Sequence, residues 1–268
     1  MMIGMDDRAR FLKAYDEQLR TDAETPSAIA VAVCGPLRLV TFAGGRGFVT
    51  YQNLGGADAK TIRDLVGQAR AHYEADPEIT RVEWKTRAHD HAPGLHQSLL
   101  DHGFTAEEPE SIMIGEAQRL AVDVPLPEGV QLRQISGEDD VHAMCVMTGR
   151  VFDDPPEMAA EMANALLRRL SRNDGMELWV AEAFGEIVSA GRLEPVPGTT
   201  FAGIWGGSTL REWRSRGIYR ALTAARACSA LRLGKTLIHS DSTEDSRPIL
   251  ERYGFFKVST TTPYLWHR

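Results

Sequence analysis

A glycine-broken strand, a basic loop and a long helix follow one another at residues 201–234, and this order most restricts what the chain can fold into. The run 201–205 is apolar and strand-compatible, and a Gly-Gly-Ser run at 206–208 interrupts it. Such glycines mark a bulge or the close approach of another backbone. Apolar residues then recur at helical spacing over 216–233, until Gly234 stops the pattern. The loop is therefore predicted to lie at a helix N-terminus.

The start of this helix is suited to bind an anion. The first N–H groups of a helix have no partners within it, and the positive end of the helix dipole lies there. Gly217 lets a phosphate approach the backbone, and Arg214, Arg216 and Arg220 add positive charge. Helix starts normally favour acidic residues, so this basic start indicates anion binding over a solvated surface.

The residues of the loop resemble a known motif. Residues 214–219, Arg-Ser-Arg-Gly-Ile-Tyr, look like the pyrophosphate loop of the GNAT superfamily of acetyl-CoA-dependent acetyltransferases, usually [Arg/Gln]-x-x-Gly-x-[Gly/Ala]. Residues 249–255, ending in Gly-Phe, resemble that superfamily's helix-to-strand ending. Tyr219 departs from the small residue of the motif, so we expect its ring to point away from the phosphates. The resemblance implies an α+β (mixed α/β) fold with a central mixed, mostly antiparallel sheet flanked by helices.

The first half of the chain repeats the second in reduced form. Phe48 and Phe104 are 56 positions apart, Phe201 and Phe255 are 54 apart, and each block reads strand, Gly-Gly, long helix, short strand, short helix, Gly-Phe. This repeat predicts tandem GNAT-like domains at 1–124 and 125–268, joined by the proline-containing segment 120–129. The first copy has Asp58 and no arginines where the loop should be, so we expect it to bind no CoA. A monomer with pseudo-dimeric domains and a homodimer both remain open.

Composition limits the partners and the compartment. The 268 residues are 43% hydrophobic and 25% charged, as in ordinary globular proteins. A net charge of −7 argues against a nucleic-acid partner. No run is long and apolar enough for a membrane span or a signal peptide, and the three cysteines are typical of reduced core thiols. We therefore expect a cytoplasmic protein without a membrane partner, and no metal site, since the histidines at 89–102 suit a polar loop better.

The resemblance implies acetyl-CoA as the acyl donor. In the family, pantetheine pairs with the interrupted fourth strand, and a backbone N–H there faces the thioester oxygen, where negative charge grows during transfer. The expected cofactor-binding residues are Gly207, Ser208, Thr209, Leu210, Arg214, Ser215, Arg216, Gly217, Ile218, Tyr219, Arg220 and Ser246. For Ser246, a capping or packing role fits equally well.

The catalytic groups are harder to place. The family's glutamate base falls at Gly203, and its tyrosine acid falls at Leu250, so both familiar groups are missing. The candidates that remain are Glu194 and Asp241 as proton acceptors and Tyr264 as the donor, with Tyr253 as an alternative donor. Direct attack without a dedicated base is also open, because placing an amine beside the thioester already supplies much of the rate.

The resulting hypothesis is an acetyl-CoA-dependent N-acetyltransferase in which a primary amine attacks the thioester directly in a ternary complex. The acceptor is a small-molecule or peptide amine, and Trp205 either lines its pocket or packs in the core. The alternative is a non-catalytic acyl-CoA sensor or interaction module, which the missing glutamate and tyrosine favour.

Overall fold

The computed structural model describes residues 5–268, with side chains from residue 7 onward; residues 1–4 of the predicted first domain lie outside the described residues. In chain order the elements are α1 (Met5–Gln18), β1 (Ala30–Cys34), β2 (Leu37–Phe42), β3 (Arg46–Thr50), α2 (Ala59–Glu74), β4 (Arg81–Arg87), α3 (Leu95–Asp101), β5 (Thr105–Ala106), β6 (Glu110–Glu116), α4 (Ala117–Leu120), β7 (Val130–Ile135), α5 (Glu138–Phe152), α6 (Pro156–Leu170), β8 (Glu177–Ala183), β9 (Glu186–Pro195), β10 (Phe201–Thr209), α7 (Ile218–Arg232), β11 (Leu237–Ser242), α8 (Arg247–Tyr253) and β12 (Phe256–His267). Short 3₁₀ turns occur at Asp22–Glu24 and Arg211–Trp213. No helix of the described part is long and apolar enough to cross a membrane.

The predicted elements are present, and the main difference lies at the C-terminal end. The sequence pattern predicts a pair of terminal strands at about 256–260 and 264–266, whereas β12 is a single strand through Pro263. A proline lacks the N–H of the ladder, but its carbonyl can still accept. The carbonyl of Pro263 does so, because the N–H of Glu107 donates to it at 2.9 Å. The prediction of two separate strands is therefore wrong.

The chain forms two compact units that are not contiguous in sequence. The first unit contains the chain up to Met113 together with Asp241–Ile249 and Phe256–Arg268. The second contains Ile114–Ser240 and Leu250–Phe255. The predicted boundary at 124/125 separates the two sequence repeats, and this division of the sequence remains a proposal. Compactness assigns β12 to the first unit, because this strand pairs antiparallel with β4 from Thr261↔Arg87 to His267↔Arg81.

The first unit has the strand order β1-β2-β3-β4-β12, with the short β5 also on β12. All of these pairs are antiparallel except β3 and β4, which are parallel and are joined by α2. Apolar residues of α2 at helical spacing face the core of this unit: Ile62, Leu65, Val66, Ala69 and Tyr73.

The second unit has the strand order β7-β8-β9-β10-β11. Its pairs are also antiparallel except one, β10 and β11, which are parallel and are joined by α7. The succession β8-β9-β10-α7-β11 thus matches β1-β2-β3-α2-β4 in order and in strand direction. One correspondence differs: Gly55 and Gly56 lie in the turn after β3, whereas Gly206 and Gly207 lie inside β10.

Candidate functional site

Strand β10 carries a bulge at its two glycines. Opposite β9, Trp205 pairs with Arg192 and Ser208 pairs with Ala190, so β10 has one residue more than its partner between these pairs. Gly206 has a φ of +61°, in the left-handed region that favours glycine, and both Gly206 and Gly207 are exposed. Backbone at the bulge is therefore accessible from solvent.

The ring of Tyr219 lies against this bulge. A methyl group at Gly207 would come within 2.6 Å of Cε2 of Tyr219, so only a glycine leaves room for the ring. Tyr219 stands at the position where the family motif has glycine or alanine. A ligand that pairs with the backbone of Gly207 would therefore have to pass beside this ring.

Helix α7 begins directly after the basic loop. Gly217 precedes it with a φ of +82°, and among the described residues no side chain caps the helix. The first hydrogen bond of the helix runs from the N–H of Ala221 to the carbonyl of Gly217 at 3.0 Å. Ser215 also has a positive φ, +61°. The N–H groups of the first turn are thus left for an external acceptor.

Three exposed arginines surround this helix start. Nε of Arg214 donates to the carbonyl of Thr209 at 3.0 Å. The guanidinium of Arg216 lies 4.9 Å from the ring centre of Trp213, and that of Arg220 lies 5.8 Å from the ring centre of Tyr253. No ion pair in the described part of the chain involves any of the three arginines. The loop therefore keeps its positive charge uncompensated, as an anion site requires.

The other expected cofactor contacts divide by burial. The side chains of Ser208, Leu210 and Ile218 are buried, so only their backbone could reach a ligand. The N–H of Leu210 already donates to the carbonyl of Val188 at 3.0 Å. Ser246 belongs to the first unit, and its hydroxyl donates to the carbonyl of Thr243 at 3.2 Å, within the turn that precedes α8.

Helix α7 contributes one buried arginine, Arg226, which packs against the strands. Arg226 is 1% exposed and donates from Nη1 to the carbonyl of Arg192 at 3.2 Å and from Nε to the carbonyl of Leu222 at 3.1 Å. A side chain at Gly191 would collide with its guanidinium. No carboxylate among the described residues pairs with it, and burial lowers its pKa. A positive charge without a counter-ion thus lies behind the bulged region, and no sequence motif pointed to it.

Glu194 is held by two guanidinium groups. Nη1 of Arg169 lies 3.1 Å from Oε2 of Glu194, and Nε of Arg192 lies 3.3 Å from Oε1. The side chain is only 19% exposed. Because both of its oxygens are engaged, this carboxylate is poorly placed to accept a proton from an incoming amine.

Asp241 and Tyr264 lie in the first unit, whereas Glu194 and the bulge lie in the second. Oδ2 of Asp241 is 2.7 Å from Nζ of Lys85, in an ion pair whose members are 11% and 17% exposed. The hydroxyl of Tyr264 is 2.5 Å from Nδ1 of His96, and burial raises the pKa of this phenol. The three candidate catalytic residues are therefore not gathered in one unit.

The positions of the family's missing groups are filled by other side chains. Leu250 is 1% exposed and belongs to the interior. Tyr253, three positions later, lies with its ring centre 6.2 Å from that of Tyr219, and burial together with Tyr219 raises its pKa. Above Gly203 lie the indole of Trp205 and the imidazole of His239, whose ring centres are 5.3 Å apart. Sequence patterns did not single out His239, because its place beside Gly203 depends on strand pairing.

No protein-family model and no curated protein matches the chain in sequence. Solved structures match it. A GCN5-related N-acetyltransferase from Kribbella flavida aligns with a TM-score of 0.67 at 17% identity, over 98% of this chain and 96% of that one. A tandem GNAT protein from the clavulanic acid biosynthesis pathway aligns with a TM-score of 0.62 at 17% identity, over 86% of this chain and 78% of that one.

This chain has the tandem GNAT fold.

The tandem GNAT fold confirms the predicted fold class, in which each unit has a mixed, mostly antiparallel sheet flanked by helices. A functionally unknown conserved protein from Staphylococcus epidermidis shares the fold with a TM-score of 0.66 at 10% identity, over 92% of this chain and 98% of that one. Likeness at these identities concerns the fold, and function has to be argued from the site.

Proposed function

We propose that the chain is an acetyl-CoA-dependent N-acetyltransferase that moves an acetyl group to a primary amine. The observation that carries the proposal is the exposed glycine bulge of β10 followed by the uncapped start of α7, with three arginines that pair with no carboxylate among the described residues. The tandem GNAT fold supports a general acetyltransferase function.

The start of α7 would hold the diphosphate of CoA. Its unpartnered N–H groups and the dipole of the helix favour an anion, and Gly217 allows close approach. Arg214, Arg216 and Arg220 would add charge-assisted hydrogen bonds. The accessible backbone at Gly206 and Gly207 would pair with the pantetheine arm, as the resemblance implies.

The transfer itself needs a direct attack and a stabilised oxyanion. Acetyl-CoA supplies the acetyl thioester; the amine nitrogen forms a bond to the carbonyl carbon, the C–S bond breaks, and the thiol leaves. Backbone N–H groups at the bulge would face the oxygen on which negative charge grows. Arg226, buried without a counter-ion, would add a positive field from the α7 side of the sheet.

The acceptor would be a small-molecule or peptide amine. The net charge of −7 favours a cationic one, since opposite charges attract at long range. The three cysteines are free, which supports a reducing, cytoplasmic setting. A monomer with pseudo-dimeric repeats and a homodimer are both compatible with this activity.

The first repeat would bind no CoA. Its helix α2 is capped by its own acid, because Oδ1 of Asp58 accepts from the N–H of Thr61 at 2.8 Å. Hydrogen bonds from Thr61 lower the pKa of Asp58, so the charged carboxylate persists there. A phosphate would meet a negative charge at this helix start.

The alternative function is a non-catalytic acyl-CoA sensor. Two observations favour it: the positions of the family's base and acid hold Gly203 and the buried Leu250, and the ring of Tyr219 lies over the backbone of Gly207. A sensor would bind acetyl-CoA at the same helix start and would release no thiol.

Thermal melts and thiol release separate these possibilities. Acetyl-CoA at 100 times its Kd stabilises a folded protein by about 2.7 kcal/mol, so the Tm should rise by roughly 5–10 °C. Only the enzyme should release CoA thiol, and only when one of a panel of amines is added: putrescine, spermidine, lysine and a peptide with a free N-terminus. Thermal protection without thiol release would favour the sensor.

We expect Arg216→Glu to abolish the thermal protection, because it places a negative charge where the diphosphate would dock. The matched control is Arg172→Glu, which makes the same change of charge at an exposed residue after α6 and should keep full protection. Protection that survives in Arg216→Glu would move the cofactor site elsewhere.

A further inference from the structure

Strand β1 lies at a free edge of the sheet in the first unit. It pairs with β2, and no other strand of the described chain pairs with it. An edge strand presents unpaired N–H and C=O groups, to which another strand can bind. The outer side of β1 is therefore a place where the sheet of this unit can continue.

The turn after β1 shows which backbone groups point outward. Cys34 and Leu37 pair across a two-residue turn whose first residue, Gly35, has a φ of +56°, as a type II′ hairpin requires. The pair that closes such a turn is a hydrogen-bonded pair, and hydrogen-bonded pairs alternate along an antiparallel ladder. Every second residue before Cys34 therefore bonds to β2, whereas the N–H and C=O groups of Val31 and Val33 point away from it.

The side chains at this edge are apolar and exposed. Val31 and Val33 are 45% and 76% exposed, and because they are two residues apart they lie on the same face of the sheet. Ile29, directly before the strand, is 67% exposed. Three β-branched side chains are thus open to water beside unpaired backbone groups.

Strand β1 lacks the features that usually protect an edge strand, which are charged side chains, prolines and bulges. No residue from 25 to 37 is charged, and β1 itself contains neither a proline nor a bulge. The edge strand of the second unit, β7, differs because its Arg133 forms ion pairs with Asp140 and Glu182. An unprotected apolar edge marks a site of association.

A second copy of β1 satisfies this edge. In an antiparallel arrangement centred on Ala32, Val31 of each copy lies opposite Val33 of the other, and the outward N–H and C=O groups of both form hydrogen-bonded pairs. The arrangement is the same on both sides of the axis, as a two-fold interface requires. Ala32 faces its own copy in the closer, non-hydrogen-bonded pair, where a small side chain fits. No charge in the strand repels its copy.

Helix α2 extends the surface beyond the strand. Sγ of Cys34 donates to Oε1 of Gln68 at 3.1 Å, so α2 lies beside the same edge. About the two-fold axis, the α2 helices of both copies would flank the paired strands on one face, and the valines would meet on the other. A stable interface buries about 1,200–2,000 Å², which requires such a contribution from the helices.

We propose that the chain forms a homodimer in which β1 pairs antiparallel with β1 of a second copy, about a two-fold axis at Ala32. The sheets of the two first units then continue into one another. This interface would form whether or not the chain transfers acetyl groups.

The first test is the mass of the protein in solution, measured by analytical ultracentrifugation over a dilution series. The wild type should have the mass of two chains. The double variant Val31→Lys/Val33→Lys should have the mass of one chain, because like charges directly opposite each other destabilise a strand pair. The control is Leu100→Lys, at an exposed apolar residue of α3, which should keep the mass of two chains. A wild type with the mass of one chain throughout would overturn the proposal.

A charge swap distinguishes loss of the interface from loss of the fold. Val31→Glu/Val33→Glu should also have the mass of one chain. An equimolar mixture of the lysine and glutamate variants should regain the mass of two chains, because opposite charges then face each other across the axis. Unfolded protein cannot recover in this way. A dimer that survives either double change lies on another surface, and that result would contradict the proposal.

Disulfide trapping tests the register. In the proposed pairing the Cα atoms of Ala32 and its copy are about 4.5 Å apart, which is within disulfide reach. Ala32→Cys in a Cys34→Ser background should therefore form covalent dimers on oxidation with diamide, and the background alone should form none.

The matched control for trapping is Val33→Cys in the same background. This position is more exposed than Ala32, but it is offset from its own copy by two residues, about 7 Å along the strand in addition to the strand spacing, which exceeds disulfide reach. Faster trapping of Val33→Cys would indicate random collision and would overturn the pairing. The absence of covalent dimers of Ala32→Cys would overturn it as well.

Discussion

At the scale of single residues, glycines shape the candidate site because they have no side chain. Gly191, Gly203 and Gly207 each lie against a bulky side chain, so that even a methyl group would collide with it or come within 2.6 Å of it. These glycines are needed for close packing, whereas Gly206 and Gly217 are needed for their positive φ. The two requirements are indistinguishable in the sequence.

Two carboxyl groups of the first unit predict how its stability depends on pH. Burial raises the pKa of Glu83 above its ordinary value of 4.5 and outweighs the attraction of Lys85 and Arg81. Burial, followed by the negative charge of Asp241, raises the pKa of Glu110. The fold therefore prefers their protonated forms. This stabilisation is complete below about pH 4.5 and is lost as the pH rises through the raised values.

We expect Glu83→Gln to be more stable than the wild type at pH 8 and equally stable at pH 4, because glutamine never ionises. Urea unfolding at the two pH values measures the difference in the free energy of unfolding. The control is Glu108→Gln, at an exposed residue of the same unit, which should show no such difference. Equal stability of Glu83→Gln and wild type at both pH values would contradict the prediction.

At the scale of single elements, the start of α7 has the features of a ligand site together with one obstruction. The helix is uncapped and basic, but Tyr219 in its first turn covers the backbone of Gly207. The carbonyl of Tyr219 also accepts from the hydroxyl of Thr223 at 2.9 Å, one turn along. The side chain of Tyr219 therefore connects α7 to the bulge of β10 by direct packing.

We expect Tyr219→Ala to bind acetyl-CoA more tightly than the wild type, because it removes the ring from Gly207 and restores the small residue of the loop motif. Isothermal titration calorimetry gives the change in Kd. The control is Tyr253→Ala, which removes the neighbouring ring and leaves Tyr219 over the bulge. Weaker binding in Tyr219→Ala would mean that the ring is itself part of the cofactor site.

Compactness and sequence order disagree at the scale of the whole molecule. The last strand in the chain, β12, belongs to the first unit, where it pairs with β4. Trp266 near its end is 6% exposed and packs in the apolar core of that unit, with the guanidinium of Arg70 lying 3.8 Å from its ring centre. The stability of the first unit should therefore depend on the last residues of the sequence.

We expect Trp266→Ala to lower the free energy of unfolding by about 3–5 kcal/mol, as for other large buried aromatics. Hydrogen exchange followed by mass spectrometry should show the loss of protection in α2 and β4. The control is Trp213→Ala, at a partly buried residue of the second unit, which should leave these two elements protected. Loss of protection in β9 and β10 instead would contradict the assignment of β12 to the first unit.

Much of the site could be predicted from local residue patterns, and its chemistry could not. The glycine bulge, the basic loop and the helix start are contiguous over residues 206–220, so one stretch of sequence reports all three. The partners of the candidate acids and bases come from distant segments. Glu194 lies beside Arg169 of another element, and Asp241 pairs with Lys85, 156 positions away.

The sequence by itself determined the succession of strands and helices, the repeat and the basic character of the α7 start. These depend on apolar periodicity, glycines and charges within a few residues of one another. Only the tertiary structure decided that β12 joins the first unit, that Arg226 is buried without a counter-ion and that His239 flanks Gly203. Those outcomes depend on strand register and burial, which are set by pairing between segments far apart in the chain and leave no local pattern.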